Sequence, residues 1–174
     1  MKYCKRCTYP IVAVNLSVND DGVCSGCITH DEKVNINWRE REEEFKELVL
    51  KYKDNSNKNY DCIIPVSGGK DSHFQAWYLK NLGLNPLLVT YYTHNYSKTG
   101  EANLKNIGDS LGLDHYVFTP SRHVIAKMNK IGFEMTGDMS WHFHCGAWTI
   151  PFQVGVKHNI PLLIYGEHGF TDLA

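Results

Sequence analysis

The sequence predicts an α/β fold with a parallel sheet, preceded by a small N-terminal zinc ribbon. Strand and helix patterns alternate from Tyr60 onward, which is typical of parallel strands joined by crossing helices. Four of the six cysteines form two CxxC pairs within residues 1–30. The 174 residues suffice for one core with a small appendage. We therefore divide the chain into a Cys4 ribbon (1–30), an amphipathic helix and linker (31–59) and an α/β domain (60–174).

The first 30 residues contain few apolar side chains and many turn formers. Because they cannot form a hydrophobic core of their own, they need a cross-link or a bound metal ion in order to fold. The two CxxC pairs can form two knuckles that hold one tetrahedral Zn²⁺ through Cys4, Cys7, Cys24 and Cys27. A hairpin is predicted between the pairs, near residues 11–16, with a turn at 19–22. Four thiolates leave no open coordination position, so the zinc is predicted to be structural. A redox dithiol and a ribbon that docks nucleic acid or protein are the alternatives.

The remaining elements follow from hydrophobic periodicity and from helix stop signals. An amphipathic helix is predicted over residues 37–53, and a polar linker over 53–59. Strands are predicted at 60–66, 86–92, 115–118 and 161–165, and helices at 72–82, 97–111, 121–131 and 145–158. In the last helix, Pro151 is expected either in the first turn or at a break.

The stretch that follows the first strand predicts a phosphate-binding loop. It reads Ser67-Gly68-Gly69-Lys70-Asp71-Ser72 and leads directly into a helix. Adjacent glycines let the backbone turn with its N–H groups facing a phosphate, and the helix N-terminus favours negative charge at the same point. Lys70 would neutralise phosphate, while Asp71 would cap the helix or hold Mg²⁺. A Gly-Gly turn with a serine cap and no ligand is the structural alternative.

Ligands of parallel sheets bind outside the carboxyl ends of the strands. Three segments are expected to meet there: the glycine loop, Thr93-His94-Asn95 and Gly166-Glu167-His168. Thr93 and Asn95 would contact ribose or adenine, or would form a strand-end Asx turn. Glu167 would assist metal binding or proton transfer, or would cap a helix.

The SGGKDS loop resembles the pyrophosphate loop (PP-loop) of the ATP pyrophosphatases, the adenine nucleotide α-hydrolase-like proteins that cleave ATP between the α and β phosphates. The double CxxC, this loop, YYTHNYSKTGEANLKN and DMSWHFHCGAWTIPFQVGVKHNIPLLIYGEHGF are together similar to the N-acetyl sugar amidotransferase family. That family includes the pseudaminic acid amidotransferases. Its members continue well beyond residue 174, so the α/β domain is expected to be C-terminally incomplete.

The resemblance implies an ATP-dependent amidotransferase. Such an enzyme converts the N-acetyl group of a bacterial surface sugar to an acetamidino group through an adenylylated imidate, releasing AMP and pyrophosphate. The implied cofactors are ATP, Mg²⁺ and structural Zn²⁺, and a separate glutaminase subunit or a further C-terminal portion would supply ammonia. From their positions we assign Lys70, Asp71 and Glu167 to catalysis, and Ser67, Gly68, Gly69, Lys70, Asp71, Ser72, Thr93 and Asn95 to ATP binding. Trp141, His142 and His144 lie in a segment predicted to be irregular and would line the sugar pocket. The alternative for the two histidines is burial with satisfied hydrogen bonds.

Two other functions are consistent with the same motifs. A PP-loop tRNA sulfurtransferase would use further cysteines in the main domain, where only Cys62 and Cys145 occur, and a net charge of −1 argues against nucleic acid as the main partner. A non-catalytic zinc-ribbon and ATP-binding module is the third reading. No leader sequence opens the chain and no apolar run approaches the ~20 residues of a membrane span, so we expect a cytoplasmic protein without a membrane partner.

Overall fold

A computed structural model describes residues 2–12, 15–53 and 59–167. The chain divides into two compact units, one reaching to Phe45 and the other spanning Lys46–Gly166. Each unit is described by itself. Within the described ranges, no helix combines the length and the apolar character needed to cross a bilayer.

The N-terminal unit is built from turns and one short helix around the cysteines. Antiparallel bridges pair Tyr3 with Pro10 and Val18 with Cys24. The predicted turn at 19–22 is present, with Gly22 at φ 81°. Part of the predicted hairpin, residues 13 and 14, lies outside the described residues. Helix α1 (Ser25–Glu32) begins inside the second knuckle, a 3-10 turn covers Lys33–Asn35, and α2 (Trp38–Leu50) follows.

The second unit contains a parallel sheet of three strands: β1 (Cys62–Pro65), β2 (Pro86–Tyr91) and β3 (His115–Phe118). They lie side by side in the order β1-β2-β3, with Ile63 opposite Leu87 and Val89 opposite Tyr116. On the free side of β1, Leu163 forms a parallel bridge with Ile63. The chain therefore reverses its direction of travel across the sheet at β1, which is the switch point where such sheets bind ligands.

Four helices connect and follow these strands: α3 (Lys70–Asn81), α4 (Lys98–Leu111), α5 (Arg122–Thr136) and α6 (Trp141–His158). The Ser97 hydroxyl caps α4 by accepting from the Gly100 N–H at 3.1 Å, and Gly112 ends this helix in the left-handed conformation. Both signals were readable in the sequence, because serine accepts from free N–H groups and glycine tolerates positive φ.

The core forms where α6 covers the sheet. Ile63, Leu87 and Val89 pack with Val154 of α6 and with Ile160. Helix α3 packs against β1 and β2, α4 packs against α3, and α5 packs against α6. Strands β1 and β2 are buried almost throughout, as expected for a parallel sheet with helices on both faces. The predicted α/β fold with a parallel sheet is confirmed.

Three predicted details were wrong. Trp141, His142 and His144 do not form an irregular segment, because α6 already begins at Trp141. Pro151 lies in the interior of α6 and is fully buried, so packing on the sheet outweighs the lost backbone hydrogen bond. The strand predicted at 161–165 is reduced to the single bridge at Leu163, since Pro161 has no N–H to donate and only two backbone hydrogen bonds join this segment to Ile63.

A half-buried histidine, His115, and a buried one, His142, make the stability of this unit depend on pH. The Nε2 of His115 lies 2.9 Å from the Thr90 hydroxyl, which itself donates to the Val66 carbonyl. Burial lowers the pKa of His115 and of His142 below the ordinary 6.5. The unfolded chain therefore binds protons at these histidines more readily than the folded chain does. The resulting loss of stability is absent above about pH 6.5 and grows as the pH falls through that value.

We expect the free energy of unfolding to decrease as the pH is lowered from 7.5 to 5.5, and His115→Gln to reduce that dependence. Urea unfolding at several pH values measures both effects. His123→Gln, at an exposed position of α5, is the matched control. A pH dependence that is identical in the His115→Gln variant would contradict this assignment.

Candidate nucleotide site and candidate metal centre

The turn between β1 and α3 depends on Gly68. This residue has φ +81°, and a Cβ built on it would lie 2.8 Å from the backbone nitrogen of Leu104 in α4. Gly69 differs, because its φ of −77° suits any residue and its nearest neighbour would be the Ser67 Oγ at 3.5 Å. Gly68 is therefore needed both for its conformation and for the close approach of α4.

The two serines of the loop have separate roles. The buried Ser72 hydroxyl accepts from the Ser67 N–H at 3.1 Å, and the two hydroxyl oxygens lie 3.5 Å apart. Ser72 thus closes the loop from inside α3, whereas Ser67 remains exposed at its mouth. Both residues were predicted to contact phosphate, and the structure places them together.

Lys70 and Asp71 form an exposed ion pair in the first turn of α3. The Lys70 Nζ lies 2.8 and 2.7 Å from the two Asp71 carboxylate oxygens, and the side chains are 88% and 73% exposed. Pairs in water contribute little, so Lys70 can turn to a phosphate at small cost. The N-cap of α3 is Gly69, and no side chain caps this helix. The capping role considered for Asp71 is therefore wrong, and Mg²⁺ binding stays a prediction.

A cavity of about 300 Å³ opens beside this loop. It joins the end of β1, the segment after β2 and the start of α6. None of its lining residues carries a formal charge at neutral pH when His142 is neutral. The lining consists of Ser67, Thr93, Asn95, Tyr96, Ser140, His142 and Phe143.

The cavity unites part of the predicted site and adds residues that sequence reasoning missed. Trp141 and His144 are exposed and do not line it. Tyr96, Ser140 and Phe143 do line it. The only indication of this in the sequence was that each lies close to a predicted site residue. Glu167 is the last described residue and does not line it either, so its catalytic role stays a prediction. His168 lies outside the described residues.

The segment after β2 is held from two sides. His94 adopts φ +63°, and its Nε2 lies 2.9 Å from the Pro120 carbonyl. The Tyr96 ring stacks on Tyr92 with centroids 5.1 Å apart, and the Tyr92 hydroxyl donates to Glu101 at 2.6 Å. These contacts fix the wall that carries Thr93 and Asn95.

The four ribbon cysteines form a candidate metal centre in the N-terminal unit. Their sulfur atoms all lie within 4.8 Å of one another, with 4.0 Å between Cys4 and Cys27 and 3.7 Å between Cys7 and Cys24. A tetrahedral ion with Zn–S bonds of 2.3 Å sets its sulfurs about 3.8 Å apart. A disulfide needs about 2.05 Å, so the spacing fits one shared ion and no disulfide.

Backbone N–H groups favour the thiolate form of one of these cysteines, Cys4. Hydrogen bonds from N–H groups, including those of Cys7 and Cys24, lower the pKa of Cys4 to about 6, whereas hydrogen bonds with neighbouring cysteine side chains, Cys7 first, raise the pKa of Cys27 to about 12. A donated N–H stabilises the thiolate, the form that binds metals. The centre can therefore hold a metal ion, with Cys4 as the most readily ionised ligand.

Comparison with known proteins identifies the fold of the α/β unit. No protein-family model matches the chain, and no curated protein matches it. Among solved structures, an NMN synthetase from Francisella tularensis matches 73% of this chain at 13% identity, with a TM-score of 0.55. An NH3-dependent NAD synthetase from Campylobacter jejuni also matches 73%, at 13% identity and a TM-score of 0.51. Both are PP-loop proteins. This is the PP-loop fold.

A third PP-loop structure is similar over almost the whole chain. The U34-tRNA thiolase NcsA from Methanococcus maripaludis, solved with its [4Fe-4S] cluster, matches 95% of this chain at 17% identity, with a TM-score of 0.51. Only 53%, 56% and 54% of the three neighbours is covered. The chain thus spans about half the length of the PP-loop proteins that it resembles.

Proposed function

We propose that the chain contains the ATP site of an N-acetyl sugar amidotransferase that forms AMP. The observation that carries the ATP assignment is the loop of Ser67–Ser72, whose left-handed Gly68 and following helix create a phosphate cradle at the switch point of the sheet. The PP-loop neighbours support ATP use, and the NH3-dependent synthetase among them supports a reaction that consumes ammonia.

The proposed chemistry needs ATP because an acetamido carbonyl is a poor electrophile. The amide oxygen attacks the α-phosphorus, pyrophosphate leaves and an O-adenylyl imidate forms. Ammonia then adds to the imidate carbon and AMP departs, leaving an acetamidine. The protein supplies no covalent nucleophile, so its work is to align the reactants and to stabilise phosphate charge.

Each part of the loop then has a task. Free backbone N–H groups and the Ser67 hydroxyl would hold pyrophosphate, and Lys70 would neutralise it after leaving Asp71. Asp71 would hold Mg²⁺, which screens the phosphate charge when bound. The uncharged cavity suits the nucleoside, with Thr93 and Asn95 beside ribose or adenine. Trp141 and His144 remain the proposed sugar contacts, whereas both ring nitrogens of His142 are engaged by Tyr91 and Asn129. Glu167 remains the proposed proton-transfer or metal-binding residue.

The proposal extends to cofactors and partners beyond the nucleotide. Zn²⁺ in the four-cysteine centre would be structural, because every coordination position is filled. A separate glutaminase subunit, or a further C-terminal portion of the protein, would deliver ammonia in a cytoplasmic enzyme. The sugar would be a pseudaminic acid-like or nucleotide-linked substrate of surface polysaccharide synthesis.

A tRNA sulfurtransferase is the second candidate, favoured by the match of the tRNA thiolase to 95% of the chain. Cysteine placement opposes it. Cys62 is wholly buried in β1, and burial raises its pKa to about 12, so it cannot act as a thiolate. Cys145 then remains as the one accessible thiol described in the α/β unit.

Binding of ATP·Mg²⁺ to the purified chain is the first test. We expect ATP·Mg²⁺ to raise the melting temperature, and Lys70→Met to weaken binding about tenfold or more, since charged hydrogen bonds contribute roughly 1.5–3 kcal/mol. Both side chains of the Lys70–Asp71 pair are exposed, so folding should be unaffected. Lys105→Met, at an exposed site on α4, is the control.

Pyrophosphate release by the full-length protein then separates the candidate functions. An amidotransferase releases pyrophosphate only when an N-acetylated sugar is present, and repeated turnover with AMP release additionally requires ammonia. Release that depends on tRNA would instead establish the sulfurtransferase. A protein that releases no pyrophosphate from ATP under any of these conditions would be the non-catalytic module.

A further inference from the structure

His142 is a buried polar side chain whose ring nitrogens are both engaged. It is 6% exposed and lies in the first turn of α6. Its Nδ1 is 3.1 Å from the Tyr91 hydroxyl at the end of β2, and its Nε2 is 2.6 Å from the Asn129 Oδ1 in α5. Three elements that are distant in sequence thus meet at one imidazole.

The partners define how the ring is protonated. Asn129 Oδ1 can only accept, so Nε2 carries the proton, and Nδ1 accepts from the Tyr91 hydroxyl. Burial disfavours the imidazolium and lowers the pKa of His142, in keeping with this neutral tautomer. Neither nitrogen is left to contact a ligand, and only the ring surface faces the cavity.

Tyr91 gives this connection a fixed anchor. Its side chain is 8% exposed, and its ring stacks on Phe118 of β3 with centroids 5.9 Å apart. On the α6 side it lies against Gly146, where a Cβ would come within 2.5 Å of the ring. Because the Tyr91 ring is confined from both sides, its hydroxyl offers His142 a defined position.

The connection lies directly at the wall of the nucleotide cavity. Ser140, His142 and Phe143 form the wall that comes from the start of α6, and Ser67 and the segment after β2 form the remainder. Helix α6 is not held at this end by a side-chain cap. The hydrogen bonds of His142 join this turn to β2 and to α5.

We propose that His142 is a positioning residue for the nucleotide site. Through Tyr91 and Asn129 it holds the first turn of α6 at the separation from Ser67 and Thr93 that the nucleoside requires. The inference rests on the proposed ATP site. His142 then affects nucleotide affinity indirectly, through the geometry of the cavity. Tyr91 and Asn129 contribute to the same effect, because they hold the His142 ring.

The test compares nucleotide affinity with stability in the purified chain. His142→Phe retains an aromatic ring without its nitrogens, and Tyr91→Phe removes a single hydroxyl. We expect the Kd for ATP·Mg²⁺, measured by calorimetry, to rise about tenfold in His142→Phe and about threefold in Tyr91→Phe. The double variant should resemble His142→Phe, because both changes break one connection.

His115→Gln is the matched control, because it alters a half-buried histidine of the same unit that does not line the cavity. It should lower the free energy of unfolding and leave the Kd unchanged. If Tyr91→Phe and folded His142→Phe bind ATP·Mg²⁺ as the wild type does, the inference is overturned and the ATP site stands. If the wild type itself does not bind ATP·Mg²⁺, the proposed ATP site fails and the inference fails with it.

Discussion

Replacing Gly68 by alanine should destabilise the α/β unit by about 2–5 kcal/mol and abolish ATP binding. A non-glycine residue in the left-handed region costs about 1–2 kcal/mol. The added Cβ also overlaps backbone atoms of Leu104, at 2.8 and 2.9 Å, which cannot move aside as a flexible side chain would. Overpacking of this kind costs typically 1–3 kcal/mol more. Urea unfolding and ATP calorimetry would measure the two effects.

Gly69→Ala provides the matched control for this prediction. Its backbone conformation is open to alanine, and the new Cβ would make only an ordinary contact with Ser67 at 3.5 Å. We expect its stability to remain within about 0.5 kcal/mol of the wild type. If Gly68→Ala and Gly69→Ala were equally stable, the left-handed turn against α4 would not be the reason for the glycine.

Replacing Cys24 by serine should remove the bound metal and unfold the N-terminal unit. Three of the four cysteines in this centre are buried, and the apolar side chains packed against them among the described residues are Leu16, Val18 and Val23, so little apolar burial remains when the ion is lost. Structural zinc contributes about 10–16 kcal/mol of binding free energy in small domains, and that energy is coupled to folding. We expect zinc to fall from about one ion per chain toward none, by elemental analysis, and trypsin to cleave the unit rapidly.

Cys145→Ser serves as the control, because this cysteine lies in α6 outside the four-sulfur cluster. It should keep its metal and its resistance to trypsin. Chelation of the wild type should reproduce the Cys24→Ser result, since both remove the same ion. A Cys24→Ser protein that retains a full complement of zinc and resists trypsin would show that the four cysteines do not form the metal site.

Local patterns were sufficient for the parts of the site that are close in sequence. The strand, glycine turn and helix around Ser67–Ser72 follow from neighbouring residues, and the CxxC spacing brings each cysteine pair together without help from the rest of the chain. Helix caps such as Ser97 and Gly112 are equally local. These features depend on backbone sterics and short-range hydrogen bonds, which a sequence displays directly.

The tertiary structure decided what depends on packing between distant residues. Pro151 signalled a helix break, yet burial against the sheet keeps α6 continuous from Trp141. His142 read as a sugar contact in an irregular segment, but Tyr91, 51 residues away, engages one of its nitrogens. The sequence alone determined the glycine turn between β1 and α3 and the two cysteine pairs of the candidate metal centre. The shape of the cavity, and the residues that hold it open, required the fold, because burial and long-range hydrogen bonds exist only once the chain has packed.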